Sequence, residues 1–282
     1  MKKVSALAYK RVDSNEVIKQ IEKCTLAAAQ AKNGKALAKC RTECLKHIFR
    51  VNTMAALAFM RFTLDTRDPF YAGEKDYYDE EGPKLDSAYV KFQRAFLNNP
   101  HAKETAPYVN PLVLRHYEQQ ITCTSDEAVP FKIEENKLVT EYTKLMAETT
   151  YPWNGENLPL SALKKYFADP DRSVRQKAYT ALGETLAKIS DKLDSLYDQM
   201  VKIRHKTAEA LGFTNYVELG DRLMGRISYD RSMLAAFRKN VLSDVVPVVA
   251  RLKEKAAEKL GIKEFMLYDN ETYFDCGNPT PT

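Results

Sequence analysis

Four histidines and five cysteines are the residues of this chain richest in potential chemistry. Two imidazoles one helical turn apart with a glutamate after the first, as in H-E-x-x-H, would hold a zinc ion and manage the proton of its bound water. None of His47, His101, His116 and His205 is followed by Glu, so the sequence lacks that motif. Cys40, Cys44 and His47 stand at i, i+4 and i+7, hence on one helical face, and an antiparallel turn at Asn33-Gly34 would bring Cys24 close to residue 43. Four such ligands would suit zinc. The plainer reading makes the thiols small apolar groups on a buried stripe, because zinc sites usually use C-x-x-C knuckles. His205 and Glu209 are also one turn apart, and an exposed ion pair is expected there before a metal or acid–base couple. Neither a G-x-S-x-G nucleophile turn nor a glycine-rich phosphate cradle occurs.

Residues 220–230 pack Gly220, Asp221, Arg222, Gly225, Arg226, Tyr229 and Asp230 into one junction between helical patterns. Guanidinium forks and a phenol there suit the carbonyls or terminal carboxylate of a peptide. Pairing of the arginines with Asp221, Asp230 or other acids, to fix the junction, is the structural alternative. Arg222, Arg226 and Tyr229 are the candidate substrate-binding residues. No residue is singled out as catalytic or as a metal ligand.

The elements that position this junction are helical. From Asp13, Val17, Ile18, Ile21, Leu26 and Ala29 recur at helical spacing up to the Asn33-Gly34 turn. A second stripe, Leu37, Cys40, Cys44, Ile48, Val51, Ala55, Phe59 and Phe62, runs to Asp68-Pro69, where the residue before proline disfavours helix. A break is expected at Gly82-Pro83, with further helices near 84–98, 111–121 and 131–147. Asn154-Gly155 after Tyr151 and Trp153 predicts one small β-hairpin. Asp169-Pro170 should open a single helix of roughly 60 Å, closed by Gly212. Asp230 should cap another, with Met233, Leu234, Phe237, Val241, Val245, Val248 and Leu252 inward, a kink at Pro247 and a stop at Gly261. Phe265–Asp269 reads as extended, and Gly277-Asn278-Pro279 as a polar loop. The compositional shift at 148 divides the chain into an N-terminal helical domain, 1–147, and a hairpin-plus-long-helix region, 148–282.

At 282 residues, 44% hydrophobic and 29% charged, the chain can bury a core and is not disordered overall. Only 10 Gly and 12 Pro disfavour turn-dense β architectures. The fold class is mostly α. The net charge of +5 is spread over alternating signs, which reads as a solvated surface and gives no basic stripe for nucleic acid. An odd cysteine count without disulfide-like spacing points to a reducing compartment. With no signal-like start and no run near 18 apolar residues, a cytoplasmic chain without membrane partners is expected.

Several pieces of text, in order and spacing, resemble the oligoendopeptidase F family of thimet-like zinc metallopeptidases. They are Arg67–Tyr71 and Glu74–Glu80, then Asp171–Ala178, Leu196–Arg204, Ala210–Gly220, Arg226–Tyr229, Val246-Pro247-Val248, Leu260-Gly261-Ile262, Tyr268-Asp269 and Gly277-Asn278-Pro279. The resemblance implies a parent enzyme that cuts short peptides in a channel between two mostly helical halves. Its zinc ligands and proton-shuttling Glu would follow the matched region, and this sequence ends at Thr282 before any of them. It therefore implies that this chain supplies long helices forming one wall of the channel, that no zinc is bound by the chain itself, and that its partners are short peptides and a C-terminal catalytic half. A stand-alone helical peptide-binding or interaction protein without catalysis is the alternative.

Overall fold

The computed structural model describes residues 6–272. Within them the chain is mostly helical, with one two-stranded antiparallel sheet. Cys276 and the expected loop at Gly277-Asn278-Pro279 lie outside the described residues. Contacts divide the chain into two units. The first holds the chain up to Lys144 together with Leu196–Ile227, and the second holds Leu145–Ser195 and the chain from Ser228.

The first unit is built on three long helices: α1 (Ser14–Ala29), α2 (Gly34–Leu64) and α3 (Pro69–Asn98). Short polar side chains start each one. Asp13 accepts from the Glu16 amide at 3.1 Å, Asn33 from the Ala36 amide at 2.9 Å, and Asp68 from the Phe70 amide at 2.9 Å, satisfying donors that a helix start leaves open. Gly34 is required by close approach, because a Cβ there would run into the Glu104 carbonyl. Val17 and Ile21 of α1, Leu37, Cys44 and Val51 of α2, and Leu85, Phe92 and Phe96 of α3 form the core. Leu26 and Phe59, read into those stripes, are exposed instead. Each helix is longer than the strip its neighbours cover, so part of its apolar pattern faces water.

The expected break at Gly82-Pro83 does not occur. Proline has no amide hydrogen to give the carbonyl one turn back, and its loss normally ends or kinks a helix. Here α5 (Val129–Glu148), which follows α4 (Leu112–Gln120), supplies a replacement. Asn136 Nδ2 donates to the Asp79 carbonyl at 3.0 Å, the acceptor that residue 83 would have used. Thr140 of α5 donates to Asp79 Oδ2 at 2.6 Å, and Lys75 reaches both Asp79 and Thr140, so the two helices are cross-linked around the proline.

In the second unit, β1 (Thr150–Trp153) pairs with β2 (Glu156–Pro159), Trp153 opposite Glu156. Asn154 and Gly155 take φ of 49° and 87°, the left-handed pair of a type I′ turn. Tyr151, Trp153, the Leu163 of α6 (Leu160–Leu163) and Ala178 make its core. The single 60 Å helix expected after Asp169 is two: α7 (Arg172–Lys188), capped by Asp171 rather than Asp169, and α8 (Ser190–Ala210). Ile189 leaves helical geometry at φ −111° and ψ 7°, and its amide bonds three residues back, to Leu186. That tighter bond steps the chain out of register although no Gly or Pro stands there. The division between the units falls six residues further on, within α8. Gly212 closes α8 as expected, at φ 80°.

After α9 (Tyr216–Leu223), Asp230 caps α10 (Arg231–Asn240), which passes through a π turn, Val241–Val245, into α11 (Val246–Lys259). The Val246 amide reaches the Val241 carbonyl, and this wider turn absorbs the ring of Pro247 without ending the helix. The apolar stripe expected inward here is not buried. Phe237 is 65% exposed and Leu242 69%, with Met233, Val245, Val248 and Leu252 also in solvent. Only Ala256 of α10 and α11 is buried among the described residues. Among the described residues no helix is long and apolar enough to cross a membrane.

Leu267–Asp269 is a 3₁₀ turn and not the extended run expected. Asp269 dictates this, as its carboxylate accepts from the Met266 amide at 2.9 Å while receiving two arginines from α7. Arg175 Nη2 lies 2.8 Å and Arg172 Nη2 2.9 Å from it. Arg175 spends its other donors on the carbonyls of Tyr268, Asp169 and Pro170. Arg175 is 2% exposed and Asp269 not at all. Burial pushes the Asp269 carboxyl up, but the hydrogen bonds from Arg172, Arg175 and the Met266 amide outweigh it, and its pKa falls below the ordinary value.

Two expected outcomes follow from these contacts. Asn136→Ala should cost about 1–3 kcal/mol in urea unfolding, and the loss should shrink in a Pro83→Ala background, where residue 83 regains its amide. Asp269→Ala should cost about 3–5 kcal/mol by leaving Arg175 buried and unpaired. Because Asp269 ionises at lower pH folded than unfolded, its contribution is complete above the ordinary carboxylate range. It should disappear as pH falls through the depressed folded value, so wild-type and Asp269→Ala melting temperatures should converge in acid.

Candidate functional site

The junction singled out in the sequence spans the end of α9 and the turn to α10. Asn215 starts α9 by accepting from the Val217 amide at 2.9 Å. Gly225, at φ 68°, turns the chain out of it. Leu219 packs with Cys123 and Ala208, which fixes the buried face of α9 and turns Arg222 toward its neighbours.

Arg222 lies over the Phe213 ring, 5.0 Å from its centre. Its Nη1 donates to Thr122 Oγ1 at 2.9 Å and its Nη2 to Glu218 at 3.0 Å. Arg226 is paired through Nη1 with Asp221, both side chains mostly covered. The turn's backbone is held as well: the Arg226 carbonyl accepts from Gln119 Nε2 at 3.1 Å, and the Ile227 carbonyl from Arg115. Tyr229 belongs to the second unit and is 45% exposed. The structure thus brings Arg222 and Arg226 into one junction within the first unit and gives both internal partners. Asp221 was named in the sequence as a partner for these arginines, whereas Glu218, four residues before Arg222 and so a helical neighbour, was not. Thr122 and Phe213 carried no signal in the sequence.

The other candidates are bland. His205 and Glu209 form an exposed pair at 3.4 Å, as read. Cys24, Cys40 and Cys44 are reduced and pack on the three-helix core. Burial pushes the thiols of Cys24, Cys44 and Cys123 up, the wrong direction for a nucleophile. Among the described residues no three His, Cys, Asp or Glu side chains gather so as to hold a metal ion. The donor set a zinc centre needs is therefore not assembled by the described residues.

The long capped helices, the hairpin and the α7 to α11 succession define a mostly helical fold among the described residues. Residues 4–124 match the model of the peptidase M3 N-terminal domain, and residues 166–276 that of peptidase family M3. The chain belongs to peptidase family M3. Within it the chain is similar to a Bacillus anthracis protein assigned as an oligoendopeptidase F, at 32% identity and a TM-score of 0.92, over 99% of this chain and 51% of that one. It is similar as well to PZ peptidase A solved with an inhibitor, at 31% identity and a TM-score of 0.94, over 99% and 50%. Oligoendopeptidase F of Enterococcus faecium, at 18% identity and a TM-score of 0.60, shares the fold over 93% of this chain and 54% of that one. None of the curated proteins matches. The chain spans about half the length of the solved structures it matches.

The buried thiols give an expected outcome. A disulfide reagent at neutral pH should modify Cys44 and Cys123 slowly in the folded chain and rapidly in urea, read by mass spectrometry of the labelled peptides.

Proposed function

We propose that this chain is the N-terminal, channel-forming part of an oligoendopeptidase F-like zinc metalloendopeptidase that hydrolyses short peptides, and that it has no turnover by itself. The observation that carries the reading is coverage: nearly the whole chain superposes on about half of an oligoendopeptidase F-like structure. The uncovered stripe of α10 and α11 supports it, since Met233, Phe237, Leu242 and Leu252 are the kind of surface that a further stretch of polypeptide buries. In this reading the chain contributes confinement. A helical wall admits an extended peptide, excludes folded proteins by size and aligns the peptide with a zinc held by the other half, where orientation lowers the barrier.

Arg222, Arg226 and Tyr229 are each proposed to contact peptide, on separate grounds. Arg226 commits one nitrogen to Asp221 and Arg222 two to Thr122 and Glu218, which leaves each guanidinium with donors to offer. Tyr229 is exposed. Peptides and the catalytic half are the partners in this reading, and a reducing, cytoplasmic setting suits its free thiols.

The test is a quenched fluorescent peptide offered to the chain alone and to the chain joined to the catalytic half of an oligoendopeptidase F-like protein. Chelator-sensitive cleavage by the joined protein only is expected. Turnover by the chain alone, or tight peptide binding that the catalytic half leaves uncleaved, would overturn the reading, the latter in favour of a non-catalytic binding protein. In the joined enzyme, Arg222→Ala, Arg226→Ala and Tyr229→Phe should weaken catalysis by more than their loss of melting temperature accounts for. Parallel loss of activity and melting temperature would assign these residues to structure.

A further inference from the structure

The outward face of α2 changes character halfway along the helix. Lys46, Phe49, Thr53, Ala56, Met60 and Thr63 follow in alternating steps of three and four and are all exposed, which is the spacing of a coiled-coil seam. Before Phe49 this face is polar, with Lys39, Thr42 and Lys46 in solvent. From Phe49 it turns apolar. Phe49 is 61% exposed and Leu64, beside Thr63, 85%, with Phe59 and Met60 also in solvent. The stretch from Phe49 to Leu64 is about 22 Å long. Its exposure has a simple origin: α1 has 16 residues against the 31 of α2, so an antiparallel neighbour that begins at the Asn33 turn is spent before the second half of α2.

The charges flanking this face show what fits it. Glu43 and Lys46 stand before it, 2.8 Å apart, and Asp65 and Arg67 stand after it, 3.3 Å apart. Along the chain the order is acid, base, then acid, base. A second copy laid antiparallel on the first, with Phe49 of one against Met60 of the other, sets Thr53 against Ala56 at the centre, where small side chains let two helices approach. In the same register Glu43 comes opposite Arg67, Lys46 comes opposite Asp65, and the aliphatic stem of Lys46 lies along Leu64. The two-fold axis makes each of these contacts twice. A parallel alignment would set every charge against its own kind. All four charged side chains are largely exposed, and such pairs contribute at most about 1 kcal/mol each. They therefore select the alignment, while burial of the apolar seam supplies the affinity.

We propose that the second half of α2 is a self-association surface, on which a second copy of this chain docks antiparallel through Phe49, Thr53, Ala56 and Met60, with Glu43 of each copy on Arg67 of the other. The surface lies within the first unit and its occupancy is read without substrate, so it stands or falls independently of the peptidase reading.

The test is sedimentation equilibrium of the 282-residue chain from about 1 to about 200 µM. A monomer–dimer equilibrium is expected. Met60→Lys should weaken it at least about tenfold by placing an ammonium in the seam, with the melting temperature of the dilute chain unchanged because Met60 is already in solvent. Glu43→Lys and Arg67→Glu should each weaken self-association, yet an equimolar mixture of the two variants should associate as tightly as wild type, since each copy then offers the charge that the other needs. Misfolding or an unspecific apolar contact does not produce that recovery. A chain that stays monomeric over the whole range would overturn the proposal, as would a mixture no tighter than either variant alone. A dimer that survives Met60→Lys but is lost in Phe237→Lys would overturn it in favour of the stripe on α10 and α11. Dimerisation that disappears when a catalytic half is joined to the chain would overturn it in favour of that half as the occupant.

Discussion

A single amide-to-carbonyl hydrogen bond, Asn136 Nδ2 to Asp79 O, lets α3 run through Pro83, and the first unit is arranged around that uninterrupted helix. Before the proline, α3 carries Glu74, which takes Arg11, and Tyr77, which donates to the Val12 carbonyl at 2.7 Å. Beyond it come Leu85, Phe92 and Phe96 in the core, then Asn99, which caps α1 from below through the carbonyls of Ala28 and Ala31. A break at 82–83 would uncouple the two ends, and α1 would lose one of its two anchors. The cross-link also explains why Asp79, 6% exposed, is tolerated inside the unit. Lys75 and Thr140 satisfy its carboxylate, and Asn136 its carbonyl. A buried charge persists only when its remaining lone pairs are met in this way.

The second unit has a comparable centre in Arg175 and Asp269, which tie the start of α7 to the chain after α11. Two pieces of sequence that suggested a family resemblance, Asp171–Ala178 and Tyr268-Asp269, turn out to be the two sides of this one contact. Their chemistry is structural. Arg175 distributes its donors over three carbonyls and one carboxylate, a planar fork that lysine does not reproduce. Part of what makes the sequence recognisable is therefore a requirement of folding and not of catalysis.

What was legible in the sequence was local. Asp13, Asn33 and Asp230 all cap helices through contacts three residues away, and Asn154-Gly155 closes its hairpin within two, whereas the cap expected at Asp169 falls on Asp171. What was illegible depended on distant partners. The proline in α3 is rescued from α5, and the turn at Leu267–Asp269 is shaped by α7. At Ile189 the apolar period continues on both sides of the step, so nothing in the text marks it. Along 233–252 the period correctly located an apolar face, but periodicity says nothing about what lies over that face, and here it meets solvent. At the candidate junction, forks and phenol were visible while the internal partners of Arg222, Thr122 and Phe213, were not.

The first unit is assembled from two separated stretches of chain, and this has a consequence for its biosynthesis. Cys123 is sealed by Ala208 and Leu219, which leave a ribosome roughly 100 residues later, about 5–20 s at ordinary elongation speeds. For that interval the nascent polypeptide presents a thiol that the finished protein shuts away, and the hairpin region must be translated before the gap closes. Any agent that reacts with sulfhydryls therefore meets a different molecule on the translating ribosome from the one it meets afterwards.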